Sequence, residues 1–116
     1  MADLTSLIEG CLERQERLVP NEWVRNIPRD RPAYVHWNVV AAIDELLELM
    51  KTMSWKPWSA DYGNDREPIM ARAHEGVDVL LFLGNILGVL GVTDDDLAAA
   101  YDEKVSLIEE RAGTVR

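Results

Sequence analysis

Apolar positions along the chain recur with the helical period in four stretches. In residues 3–18, Leu4, Leu7, Ile8, Cys11, Leu12 and Leu18 form the first stripe, and Gln15 falls on it. Residues 19–33 are a connector, because Pro20, Pro28 and Pro32 break regular structure; Arg25, Arg29 and Arg31 are concentrated there. A second helix is expected to start between residues 33 and 36 and to run to about residue 53. Its stripe is Val40, Ile43, Leu47 and Met50, widened by Leu46. Pro57 ends any helix, and residues 59–66 read as a solvent loop turning at Gly63–Asn64.

The third helix is expected from about residue 67 to 90, with Pro68 in its first turn. Val77, Leu80, Leu81, Leu83, Ile86, Leu87 and Leu90 cover most of its circumference, which predicts a central, heavily buried helix. Gly84 and Gly88 permit close packing on it. Gly91 is placed to cap its C-terminus, and Thr93 with Asp96 spells a short capping box for a last helix. Leu97, Tyr101, Val105 and Ile108 are the apolar side of that helix, and residues 112–116 read as a frayed tail. The expected fold is all-α, a helical bundle of four main helices, in one domain over residues 1–116.

Composition narrows the function classes. Twelve basic residues against 21 acidic ones give a formal charge of -9. That balance disfavours binding to a nucleic acid polymer, which rests on neutralising phosphates. A small phosphorylated ligand stays open, because a bound metal reverses the local field. The one cysteine, Cys11, reads as a small buried hydrophobe rather than a nucleophile, and it rules out an internal disulfide or a cysteine metal cluster. The apolar run over residues 77–92 is too short for a membrane span and is interrupted by Asp78 and Asn85, so no membrane partner is expected. The start MADLTSL does not read as a signal peptide, which makes the cytoplasm the expected location.

The chemistry lies in the polar breaks of the apolar stretches. Glu45 and Glu48 are three residues apart, flanking the stripe of the second helix. Glu75 and Asp78 repeat the spacing inside the most apolar segment, where an unpaired carboxylate costs several kcal/mol. Taken alone, the Glu45–Glu48 pair is an ordinary acidic edge. On two facing helices, four carboxylates make an oxygen-donor cage suited to Mg2+, or to Mn2+ as a substitute. Trp55 and Trp58 bracket Lys56 in one short turn, which either closes the core or walls a base pocket. Gln15 is either a boundary residue at a helix seam or a group that reads a ligand's polar edge. Lys104 and Arg111 share a face of the last helix, paired with surface carboxylates or reaching over phosphates.

Four segments carry a resemblance to the all-α nucleoside triphosphate pyrophosphatases, whose pattern is Glu-x-x-Glu, a spacer, then Glu-x-x-Asp. They are LERQERL around Gln15, HWNVVAAIDELLELMKTMSWKPW, EGVDVLLFLGNILG and YDEKVSLIEERAG. The chain is most similar to the dimeric all-α dUTPase branch and to MazG-like proteins. The resemblance implies that Glu45, Glu48, Glu75 and Asp78 hold magnesium and that Glu48 positions or deprotonates the attacking water. It implies that Gln15 reads the base, with Trp55 or Trp58 lining its pocket. Asn85 would contact the sugar or the adjoining phosphate, and Lys104 and Arg111 the phosphates; Lys56, apart from the resemblance, is a further cation able to offset charge on the leaving phosphates. The implied reaction is hydrolysis of dUTP, and of dUDP, to dUMP by a homodimer or homotetramer. Val105 and Ile108 stand where the family commonly has asparagines. A MazG-like enzyme of broader dNTP or dCTP specificity is therefore the alternative within the class, and a non-catalytic helical interaction protein the alternative outside it.

Overall fold

A computed structural model of the chain describes residues 3–18 and 31–115. The connector prolines 20 and 28, with Arg25 and Arg29, lie outside the described residues. Among the described residues a 3-10 turn, Leu4–Ser6, leads into α1 (Leu7–Leu18). Three longer helices follow, α2 (Arg31–Met50), α3 (Ile69–Val89) and α4 (Asp94–Val115). The architecture is an all-α, four-helix bundle in which α3 lies between α1 and α2.

The helix ends explain the boundaries. Asp3 accepts a hydrogen bond from the backbone of Thr5, so the first turn tightens before α1 begins at Leu7. Helix α2 starts earlier than periodicity suggests, because Pro32 has the φ of a first helical turn and needs no N–H partner there. It also stops earlier, at Met50; the Thr52 hydroxyl donates to the carbonyl of Leu49, and the chain turns into a closed loop. Pro68 stands before α3 as its N-cap, with extended ψ of 163°, instead of inside its first turn. Gly91, at φ 87°, closes α3: its N–H bonds to Gly88 and that of Val92 to Leu87, the paired bonds of a Schellman motif. Thr93 and Asp96 then cap α4 reciprocally, at 3.0 and 3.1 Å. Far from fraying at residue 112, α4 continues to Val115.

Helices α1 and α3 approach each other closely at two glycines. Cys11 is fully buried and its thiol donates to the carbonyl of Leu81 at 3.4 Å. A Cβ at Gly84 would meet the Cys11 sulfur at 2.5 Å, and one at Gly88 would meet Leu12 at 2.7 Å. The absence of side chains there lets the helices approach. Ile8, Leu12 and Tyr34 make the core, with Leu87, Val89, Val92 and Leu97 against it. Both carboxylate oxygens of Asp94 accept backbone N–H groups in the first turn of α1, from Ile8 at 2.8 Å and Glu9 at 3.0 Å. Their charge also meets the positive end of the α1 dipole.

Helix α2 corrects the expectation most. Its apolar stripe does not enter the core of its own chain: Val40 and Ile43 are each 53% exposed, Leu46 50% and Leu47 45%. The face turned inward carries Tyr34 and Asn38, its two buried residues, and Glu45 follows on the same face at helical spacing. The carboxylate of Glu45 therefore stands opposite the stripe instead of flanking it. Helix α3 is central, yet Val77, Leu80 and Leu83 are exposed on it, as is Leu90 at its C-cap. Among the described residues no single helix is long and apolar enough to cross a membrane, and α4 leaves α3 with a 109° change of direction.

Candidate metal centre

Helices α2 and α3 run in opposite directions along their seam. At one end the Arg31 guanidinium donates from Nε to the carbonyl of Val89 at 2.8 Å, joining the start of α2 to the end of α3. Two polar layers face each other across this seam. The deeper one is an amide pair: Asn85 donates to Asn38 at 3.0 Å, and Asn38 donates to the Tyr34 carbonyl at 2.9 Å. Both amides are buried, and Asn85 Oδ1 has no hydrogen-bond partner.

The second layer is two helical turns away and acidic. One carboxylate oxygen each of Glu45, Glu75 and Asp78 lies within 4.8 Å of the other two, and all three side chains are half-buried. Sharing of a proton with the facing Glu75 carboxylate, then partial burial, then the charges of Asp78, Glu75 and Asp44, push the Glu45 carboxyl up from 4.5 to about 7. Three oxygens converging in this way, with neither imidazole nor thiolate among them, suit Mg2+ or Mn2+. The donor set fits such an ion, and charge neutralisation would relieve the repulsion that now holds a proton.

Glu48 is not one of the three converging groups. One turn beyond Glu45, its carboxylate lies 3.6 Å from the Lys51 ammonium. It shares with Glu75 the wall of a cavity of 510 Å³ whose lining also includes Lys51, Thr52 and Arg66. The chain from 52 to 66 closes on itself beside this cavity. Ser54 N–H bonds to the Asn64 carbonyl at 2.8 Å, Gly63 N–H to Ser54 at 2.7 Å and Arg66 N–H to Thr52 at 2.8 Å. Gly63 makes the turn at φ 84°. Ser54 and Ser59 both donate to one oxygen of Asp61, holding that carboxyl below its usual range.

The remaining residues singled out by sequence are arranged in four separate places. Trp55 and Trp58 meet edge to face, with ring centroids 6.2 Å apart, and the Lys56 ammonium lies 5.7 Å from the Trp55 ring. These three are one unit on the loop, with Trp58 exposed. Gln15 is half-buried on α1 and makes no hydrogen bond with that unit. Asn85 is engaged inside the seam. Lys104 and Arg111 are exposed on α4, which packs on α1 and the N-terminal turn. The bend after α3 carries both away from the α2–α3 seam of their own chain. Sequence reasoning missed Asn38, Lys51 and Arg66. Asn38 precedes Glu45 by seven residues and so shares its face, and Lys51 follows Glu48 by three; Arg66 arrives only through loop closure, which leaves no periodic trace.

Compared with protein-family models, with curated proteins and with solved structures, the chain matches none of them.

Proposed function

We propose that this chain is a magnesium-dependent nucleoside triphosphate pyrophosphatase of the all-α type, hydrolysing dUTP to dUMP and pyrophosphate, with Mn2+ able to replace Mg2+. The observation that carries the reading is the convergence of Glu45, Glu75 and Asp78 from two antiparallel helices. Bound there, the metal would screen polyphosphate charge and lower the pKa of a water. Glu48 is the residue that accepts the proton of the attacking water, because it borders the same cavity as Glu75 and opens to solvent. The Trp55–Trp58 pair, on the loop whose ends Thr52 and Arg66 line that cavity, would offer an aromatic surface for the base, with Gln15 supplying hydrogen bonds from α1 when the site is assembled.

Assembly is a homodimer or homotetramer in this reading, supported by the outward stripe of α2. A second copy is also the route by which Lys104 and Arg111 would reach phosphates, since their own chain directs α4 elsewhere. The reading is tested by turnover of a full dNTP panel with product analysis, with Mg2+ and with chelator. dUMP and pyrophosphate formed only with metal, and lost in Glu48→Gln, are the expected result. Equal rates on dUTP, dCTP and dATP would replace the dUTP assignment by a MazG-like enzyme of broad specificity. No turnover of any dNTP by the metal-supplied protein would end the enzyme reading.

A further inference from the structure

The face that α2 turns toward α3 is not its apolar one. Tyr34, Asn38, Ala41 and Glu45 recur on the inner side, while Val39, Val40, Ile43, Leu46 and Leu47 are exposed on the other. Burial of apolar area alone would turn the helix over and seat the stripe on α3. The acidic triangle does not by itself prevent that rotation, because three carboxylates repel one another until a cation or a proton joins them. Arg31 and Tyr34 hold only the first turn of α2. The acceptor of Arg31 is a backbone carbonyl of Val89, a kind of group that the end of α3 presents in several places.

The buried amides of the seam do distinguish the two faces. Asn85 donates to Asn38 at 3.0 Å, and Asn38 donates to the Tyr34 carbonyl one turn back at 2.9 Å, which fixes the direction of its amide. With α2 turned over, Asn85 would face the stripe without a partner; with α2 moved along α3 by one turn, the bond between the amides would be lost. Asn85 Oδ1 lacks a partner even in the observed arrangement, so the pair adds little to stability and much to selection. It is also in step with the triangle. Glu45 is seven residues after Asn38 and Asp78 seven before Asn85, two turns in the same direction along antiparallel helices. We infer that Asn38 and Asn85 are positioning residues: their amide pair selects the rotation and register of α2 on α3 that carries Glu45 to Glu75 and Asp78. The selection of the face stands on the seam itself, and its consequence for metal binding rests on the reading of the triangle as a metal centre. A role inside the seam differs from the sugar contact that the resemblance implies for Asn85.

Nitroxide labels at Asp44→Cys and Ala73→Cys, exposed positions on α2 and α3, measure the seam in the whole chain by pulsed electron resonance, with unlabelled chain added to dilute contacts between copies. Cys11 is buried and stays unlabelled. The parent should give one distance. Asn38→Leu with Asn85→Leu should keep or raise the thermal midpoint, yet add a second distance displaced by roughly 5–10 Å, as expected when a helix about 10–12 Å across turns over. Asn38→Leu alone leaves Asn85 buried without its partner and should melt below both. Asn38→Ala with Asn85→Ala adds no volume and should show the same second distance where leucine side chains crowd the seam. Saturating Mg2+ should return the double variants toward the parent distance. Their Mn2+ affinity, measured unlabelled by calorimetry, should fall about tenfold where the competent arrangement drops to about a tenth. Double variants that keep the single parent distance overturn the inference, whatever their stability. A parent chain without affinity for Mg2+ or Mn2+ ends the metal reading instead and leaves the selection of the face to the distances, so the two failures are distinguishable.

Discussion

Glu45 on α2 and Glu75 on α3 bring carboxylate oxygens within 4.8 Å of each other across the seam, and Asp78 completes a triangle of carboxylates with them. The helices that form the bundle are the same ones that force these charges together. Without metal the cluster accommodates itself by keeping a proton. Protons and divalent cations therefore compete for one place.

That competition sets a pH dependence. Glu45 titrates near 7 in the folded chain against an ordinary value of 4.5. Folding takes up a proton between those values, so the contribution of this group to stability is fully present below about pH 4.5 and is lost as pH rises through about 7. Metal binding reverses the preference, because a ligand carboxylate must be ionised. Mn2+ affinity should rise from pH 6 to pH 8, with more protons released per metal at the lower pH. Calorimetry in buffers of differing ionisation heat measures both. Affinity that does not change over this interval contradicts the shared-proton arrangement, and Glu45→Gln should flatten the profile.

Asp78→Asn removes one donor and one negative charge while keeping size. Turnover of dUTP should fall by about two orders of magnitude or more. The metal-free fold should lose nothing, since repulsion within the triangle decreases. Circular dichroism and a thermal midpoint at or above that of the parent are the expected companions of the lost activity. Full activity in the metal-supplied variant would remove Asp78 from the site.

The α1–α3 contact yields a test by sign. A Cβ added at Gly10 on α1 would have nothing within 4 Å, whereas one added at Gly84 would lie 2.5 Å from the buried Cys11 sulfur. Gly10→Ala should stabilise by up to about 1 kcal/mol through helix propensity. Gly84→Ala gains the same propensity but must displace Cys11, at a cost of about 1–3 kcal/mol, so its net effect should be destabilising. Denaturant midpoints of the two variants should move in opposite directions. Equal shifts would mean that the helices do not approach as closely as the structure has them.

Local chemistry carried much of this fold in readable form. Gly91, Thr93 and Asp96 announce the turn between α3 and α4, and Gly84 with Gly88 announces a close approach, because backbone geometry at those points leaves few residue choices. The acidic triangle was legible for a related reason: carboxylates at Glu75 and Asp78 within an apolar helix require compensation. The direction of the α2 stripe was not legible. Periodicity defines that Val40, Ile43 and Leu47 share a face, but not whether that face meets the chain's own core or another surface. The same limit hid the separation of Lys104 and Arg111 from the seam, since the 109° bend after α3 is a tertiary property.

The outward face of α2 leads to the last prediction. Among the described residues the buried hydrophobics are Ile8, Cys11, Leu12 and Tyr34, a small core for a bundle of this length. Val39, Val40, Ile43, Leu46 and Leu47 meanwhile form a continuous exposed apolar face of a kind that monomers seldom leave open. In a chain of formal charge -9, like-charged copies repel wherever acidic faces meet. The uncharged face of α2 is where two copies can approach, and a two-fold axis through it would pair the stripe with itself. Ile43→Glu with Leu47→Glu places four carboxylates in that contact and none in the interior of the chain. Sedimentation velocity should find the parent as a dimer or larger and the variant as a monomer. The helical content should be retained, because neither side chain is part of the chain's own core. A parent that sediments as a monomer at micromolar concentration would exclude this face as a self-association surface, and with it the delivery of Lys104 and Arg111 by a partner.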